Sequence, residues 1–204
     1  MEHERRVRRD YDRAAAEYAL RWAEYTRRSL SLLRPLLASR PGRMLDAGCG
    51  TGALLGMMRG WGCPPASYLG VDISHGMLRM LPGDDSSAGV QASAKALPFP
   101  DGAFDLVVSA SSFHDWAAPA AALREVRRVL SPDGRLLLLD WSADYLTIRG
   151  MCAWLSITRR PVTQVLSAAE MNSTLAAAGF CVTSVRCHRI SAVWGLMVAD
   201  ASPA

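Results

Sequence analysis

The stretch Met44-Leu-Asp-Ala-Gly-Cys-Gly-Thr-Gly52 decides how the chain is read: a short apolar run closing on an acid, then three glycines at every second position. Met44 and Leu45 read as the end of a buried strand, and the glycines as a turn whose backbone comes into contact with a ligand. Glycine tolerates positive φ and has no Cβ to hold a ligand away from the backbone N–H groups, so Gly48, Gly50 and Gly52 are ligand-facing candidates. A helix is expected from about Ala53, and the positive end of its dipole would favour a carboxylate or a phosphate against the loop. The spacing differs from the dinucleotide fingerprint G-x-G-x-x-G, because this loop reads D-x-G-x-G-x-G with its acid on the strand. A phosphate loop closing on Gly-Lys is excluded, since Lys95 is the only lysine in the chain.

At 204 residues the chain has the length of one domain, enough to bury roughly 70% of its unfolded surface. Half of the residues are apolar, yet no window approaches the ~18 uninterrupted apolar residues of a membrane span. The N-terminal Met-Glu-His-Glu-Arg-Arg has no apolar signal core, so a cytoplasmic location is expected. Cys49, Cys63, Cys152, Cys181 and Cys187 form no CxxC pair and read as reduced thiols. The net charge is +4, carried almost entirely by arginine. Arg5, Arg6, Arg8 and Arg9 cluster, while others sit beside acids as in Arg124-Glu125, so a solvated helix face is favoured over an anionic partner. No zinc spacing, no G-x-S-x-G elbow and no carboxylate pair for glycoside hydrolysis is present, so no metal is expected.

Residues 4–33 place Val7, Tyr11, Ala14, Tyr18, Trp22 and Tyr25 at three-four spacing, the face of one amphipathic helix or two in series. From Arg43 onward strands and helices alternate, the pattern of a parallel sheet covered on both faces. Strands are expected near 43–47, 67–72, 89–92, 105–109 and 134–140, with helices near 53–60, 74–81 and 119–130. Ser74 suits a helix N-cap, Pro119 a first helical turn, and Pro132-Asp-Gly134 a tight turn. Residues 143–165 read as a mostly helical insert. Ser167 and Glu170 form a capping-box pattern ahead of a helix that Gly179 ends, and residues 180–187 and 189–199 read as a closing antiparallel hairpin with almost no loop. The last residues, 201–204, read as disordered.

Asp72 closes the next strand in Tyr-Leu-Gly-Val-Asp, about twenty residues past the loop, where a doubly wound fold sets an acid against ribose hydroxyls. This order of acid, Gly-x-Gly-x-Gly and second acid resembles the class I S-adenosylmethionine-dependent methyltransferases, over most of the chain. Tyr11-Asp-Arg-Ala-Ala-Ala-Glu-Tyr18 is similar to that family's "YDxxAxxY" entry segment, and Ser93-Ala-Lys-Ala-Leu-Pro-Phe-Pro-Asp-Gly-Ala-Phe-Asp105 to its adenine-side segment. The resemblance implies a Rossmann-like doubly wound α/β sheet of seven strands, order 3-2-1-4-5-7-6 with the last strand antiparallel. It implies a helical lid at 1–40, a cofactor-binding core at 41–141, an insert over the substrate pocket at 142–166 and a closing helix and hairpin at 167–204.

The cofactor implied is S-adenosyl-L-methionine, with S-adenosyl-L-homocysteine as product. Its expected contacts are Tyr11, Tyr18, Asp46, Gly48, Cys49, Gly50, Gly52, Asp72, Ile73, Ser93, Ala94 and Ser109. Asp46 would hold the amino-acid end, directly or through water. Ser93 stands where the family commonly has an aspartate for the adenine amino group. His114 and Asp115, at the end of the fourth strand, are the catalytic candidates, with His114 either a proton acceptor or a packing residue. Trp22, His114, Trp116, Trp141, Tyr145 and Trp154 are candidates for a small, apolar or aromatic substrate, each of which can equally serve as packing. Methyl transfer to an oxygen, nitrogen or carbon is the activity implied. The alternatives are non-methylating chemistry such as a cyclisation in the same pocket, or a catalytically silent binding or regulatory partner. No base-flipping motif or lysine-rich track points to nucleic acid, and homo-oligomer formation stays open.

Overall fold

The computed structural model describes residues 2–37, 41–158 and 164–204. Parts of the expected lid (38–40) and insert (159–163) lie outside the described residues. Seven strands form one sheet: β1 Arg43–Ala47, β2 Ser67–Asp72, β3 Ser87–Gln91, β4 Phe104–Ala110, β5 Leu130–Trp141, β6 Phe180–Arg189 and β7 Gly195–Pro203. Their order is β3-β2-β1-β4-β5-β7-β6, as expected. The first five pair in parallel, and β7 runs antiparallel to both β5 and β6.

Alternation along the strands sorts the core into two layers. Leu45, Val107, Leu136 and Leu138 pack under helices α5 (Pro119–Val129) and α7 (Ala168–Ala177) through Leu123, Val126, Met171 and Leu175. Met44, Leu106, Leu137 and Leu139 face the other way, onto Leu30 and Leu33 and onto Leu54, Leu55 and Met58 of α3 (Ala53–Gly60). Leu136 to Leu139 are at most 1% exposed on either side, so each contributes about 1.5–3 kcal/mol of burial and the centre of the sheet is covered on both faces.

The N-terminal region is two helices in series, α1 Glu2–Arg21 and α2 Ala23–Ser31, separated at Trp22. The helix after β2 is shorter than expected: α4 spans only His75–Leu78, capped by Ser74 Oγ, which accepts from Met77 N–H. The insert carries α6, Leu146–Ile157. Ser167 and Glu170 make both bonds of the capping box.

Three local expectations are corrected. Pro132-Asp-Gly134 does not precede β5 but loops out of it: Leu130 pairs with Phe104 and Arg135 with Leu106, so three residues on β4 face six on β5. The β6–β7 connection is a real loop, Ile190 to Trp194, in which Ser191 Oγ accepts from Val193 and Trp194 N–H. The terminus is ordered: Ala201 pairs with Leu136 and is 1% exposed, and Ala204 N–H donates to Gly179 O. A small-residue tail can close a sheet because β5 offers an unpaired edge that antiparallel addition satisfies.

Candidate active site

The glycine loop is bent by its own backbone. Gly48 and Cys49 N–H both donate to Val71 O, at 2.7 and 3.0 Å. That turn requires positive φ at Gly48 (+81°) and Gly50 (+54°). A Cβ on Gly48 would strike the side chain of Ser112, whereas one on Gly50 would enter open space. Gly50 therefore presents bare backbone to a cavity of about 370 Å³ lying across the C-terminal ends of β1 to β4.

Asp72, at the end of β2, is clamped on both oxygens. Gly50 N–H donates to Oδ2 at 2.9 Å and Ser74 N–H to Oδ1 at 2.8 Å. Burial raises its pKa, partly offset by those two bonds. Each oxygen keeps a lone pair for a further donor. Asp46 sits one strand over, 2% exposed, accepting from Tyr68 Oη at 2.8 Å. Burial pushes its pKa up to about 7, against the hydrogen bond from Tyr68.

Helix α1 roofs the cavity and is tied down by polar side chains. Tyr11 Oη donates to Asp115 Oδ2 at 2.8 Å, and Asp12 Oδ1 accepts from Ser74 Oγ and Gly76 N–H at 2.7 and 2.9 Å. Glu4 reaches the end of β3, accepting from Ser93 Oγ and Lys95 Nζ, each at 2.6 Å.

Beyond β4 the chain turns sharply at Ser111, which among the described residues is the one non-glycine with positive φ (54°). The strain is held by Ser111 N–H on Leu139 O and by Tyr25 Oη on Ser111 Oγ. The short helical turn that follows, Phe113–Asp115, sends the two catalytic candidates in different directions. His114 is 5% exposed and turned away from the cavity: Nδ1 lies 2.7 Å from Asp140 Oδ1, and the ring stacks 4.0 Å from that of Trp141. Burial would lower its pKa, but the charges of Asp140 and Asp115 prevail and push it up to about 9. An imidazole already protonated at neutral pH is a cation, not a base. Asp115 does line the cavity, its Oδ1 is buried without a hydrogen-bond partner, and burial raises its pKa despite the nearby His114.

Set beside known proteins, this geometry has relatives. The family described as "Methyltransferase domain" matches residues 45–138, from β1 into β5. A demethylmenaquinone methyltransferase of Thermus thermophilus is 39% identical over 127 residues, 60% of this chain and 54% of the relative. A malonyl-[acyl-carrier protein] O-methyltransferase of Geobacter sulfurreducens is 38% identical over 138 residues, 64% of this chain and 51% of the relative. Over residues 45–138 the chain is similar to the S-adenosylmethionine-dependent methyltransferases. It spans about half the length of these curated relatives. Its fold matches the putative methyltransferase solved in complex with the Haloferax volcanii Trm112 methyltransferase activator, with a TM-score of 0.82 over 95% of this chain and 97% of that one, at 18% identity.

Tyr11, Tyr18, Asp46, Gly48, Cys49, Gly50, Asp72, Ile73, Ser93 and Ala94 all line the cavity, as do Asp115 and Trp116. Gly52 instead begins α3, packed against Leu81, and Ser109 is buried with its Oγ on Ser112 Oγ. Ser111 and Ser112 take the wall position expected of Ser109.

Four aromatic candidates lie outside the lining of the cavity. Trp22 and Trp141 belong to a packed group with Tyr25 and Trp194, in which Trp141 Nε1 donates to Tyr25 Oη. Tyr145 packs on Gly195 under Arg189, and Trp154 points outward on α6, 57% exposed. Sequence reading missed Glu4, Tyr25 and Trp194, whose partners lie 89 or more residues away for Glu4 and across the sheet for the rings. The serine run at 109–112 was the available signal for the strained turn.

Proposed function

We propose that the chain transfers a methyl group from S-adenosyl-L-methionine to an oxygen, nitrogen or carbon of a small apolar or aromatic molecule. The observation that carries this reading is Asp72: a buried carboxylate whose two oxygens are aimed by Gly50 and Ser74 N–H, beside bare glycine backbone, at the mouth of a cavity with apolar walls. Two adjacent ribose hydroxyls match its remaining lone pairs. Asp46, near-neutral through burial, regains its charge when a cationic amino group approaches the loop.

The bound cofactor supplies an activated methyl group on a sulfonium. The chain's own work is alignment, for which oriented reactants can gain roughly 7–11 kcal/mol. Tyr11 and Tyr18 on α1 cover the cavity and exclude water. Asp115 Oδ1 takes the proton of a hydroxyl or amine acceptor, and Tyr11 Oη holds Oδ2 in place. His114, fixed by Asp140, positions Asp115 rather than reacting. The named relatives are a demethylmenaquinone and a malonyl-[acyl-carrier protein] methyltransferase, and the first supports an apolar, aromatic acceptor.

Titration calorimetry with S-adenosyl-L-homocysteine and NAD tests the reading. Micromolar binding of the first alone, weakened tenfold or more in Asp72→Ala, is expected; equal binding by that variant removes Asp72 from the site.

A further inference from the structure

We infer that Glu4, on the N-terminal helix, reads the base of the bound nucleoside and selects a 6-amino purine. The inference deepens the cofactor reading above and rests on it. The strand order places it: the cavity passes from the glycine loop after β1 to Asp72 at the end of β2, and the next strand outward is β3. A nucleoside whose ribose meets Asp72 lays its base against the end of β3, where Ala92, Ser93, Ala94 and Lys95 line the cavity. β3's own contribution there is a hydroxyl, an ammonium and two methyl groups.

The carboxylate at that end comes from α1. Glu4 also lines the cavity, and its side chain is 21% exposed. Ser93 Oγ occupies one site on Oε1 and Lys95 Nζ one on Oε2, so two of about four acceptor sites stay open. Burial raises its pKa, but the bonds from Lys95 and Ser93 outweigh it, and the group stays ionised. An ionised carboxylate accepts from an exocyclic amino group and repels the carbonyl oxygen of a 6-oxo purine. Because Glu4 rides on the roof helix, base recognition and closure of α1 become one event.

The test is calorimetry with S-adenosylhomocysteine and S-inosylhomocysteine, which differ at the 6-position of the purine. The intact protein is expected to prefer the adenosine ligand by tenfold or more, and Glu4→Gln to narrow that gap to threefold or less. Ser93 Oγ lies 2.6 Å from Glu4 Oε1, and an aspartate there carries its carboxylate one atom further along the side chain, into the same region. The double variant Glu4→Ala, Ser93→Asp is therefore expected to restore the preference that Glu4→Ala loses. Equal weakening of both ligands in Glu4→Gln would mean that Glu4 only fastens the helix, and overturns the inference. An intact protein that binds neither ligand would overturn the cofactor reading itself, a distinct result.

Discussion

On the floor of the cavity, the β1–α3 loop is shaped by backbone: Gly48 and Cys49 N–H on Val71 O, Gly50 N–H on Asp72, above central strands whose Met44, Leu45, Val107 and Val108 are fully buried. On its roof, α1 buries only Val7 and Ala15 and is fastened by side chains, Glu4, Tyr11 and Asp12, with His3 on Asp115 O. Backbone bonds within a packed sheet come undone only with the fold, whereas part-buried side-chain ties come undone one at a time. A floor that holds and a roof that lifts is what a cavity closed over its ligand requires.

The floor should break hardest. Gly48→Ala combines left-handed strain, about 1–2 kcal/mol, with a clash against Ser112 that adds about 1–3 kcal/mol. A melting temperature lowered by several degrees, with ligand binding lost, is expected in thermal unfolding and calorimetry. Retention of both would show that the loop is softer than its bonds imply.

Between floor and roof lies the Asp115 carboxylate. Asp115→Asn is expected to cut turnover tenfold or more at saturating cofactor while leaving S-adenosylhomocysteine affinity within threefold; unchanged turnover with a hydroxyl acceptor would leave alignment alone to do the chemistry.

His114 tests the frame through pH. Its folded pKa, about 9, exceeds the ordinary 6.5, so its ion pair with Asp140 stabilises fully below 6.5 and loses that stabilisation as pH rises through 9. Denaturant midpoints of the intact protein should fall across pH 6.5–9 more steeply than those of His114→Gln; parallel slopes would remove the charged pair.

The roof should give least. Asp12 is exposed, so Asp12→Ala should cost under about 1 kcal/mol, yet raise the rate of limited proteolysis within α1 several-fold. No change in cleavage would mean that the helix is held by something other than its polar ties.

This division also explains what the sequence disclosed. The floor follows from local rules, glycine where φ is positive and an apolar run closing on an acid, so the loop and Asp72 could be read from the residues, while the strand order followed from the family resemblance. Ser167 and Glu170 likewise announced their own helix cap three residues apart. Glu4 carries no such mark, because an acid in the first turn of a charged helix looks like any solvated residue until Ser93 and Lys95 are brought to it. His114 stayed open between base and packing residue for the same reason: only the fold shows Asp140, 26 residues away, bonded to its ring. The β6–β7 loop was hidden because Ile190 to Trp194 is apolar enough to pass for strand, and Trp194 fills a gap beside Tyr25 that no neighbour in sequence defines.

The aromatic group at the break between α1 and α2 has an optical consequence. A protonated imidazole held face-on to an indole quenches its emission, and His114 lies 4.0 Å from Trp141 with 12° between the rings. Trp22, at the break itself, touches Trp194, which in turn touches Trp141. The chain thus contains its own fluorophores at the hinge of its roof: Trp141 brightens as His114 loses its proton, and the Trp22–Trp194 contact reports, without an attached dye, whether the helix above is raised or lowered.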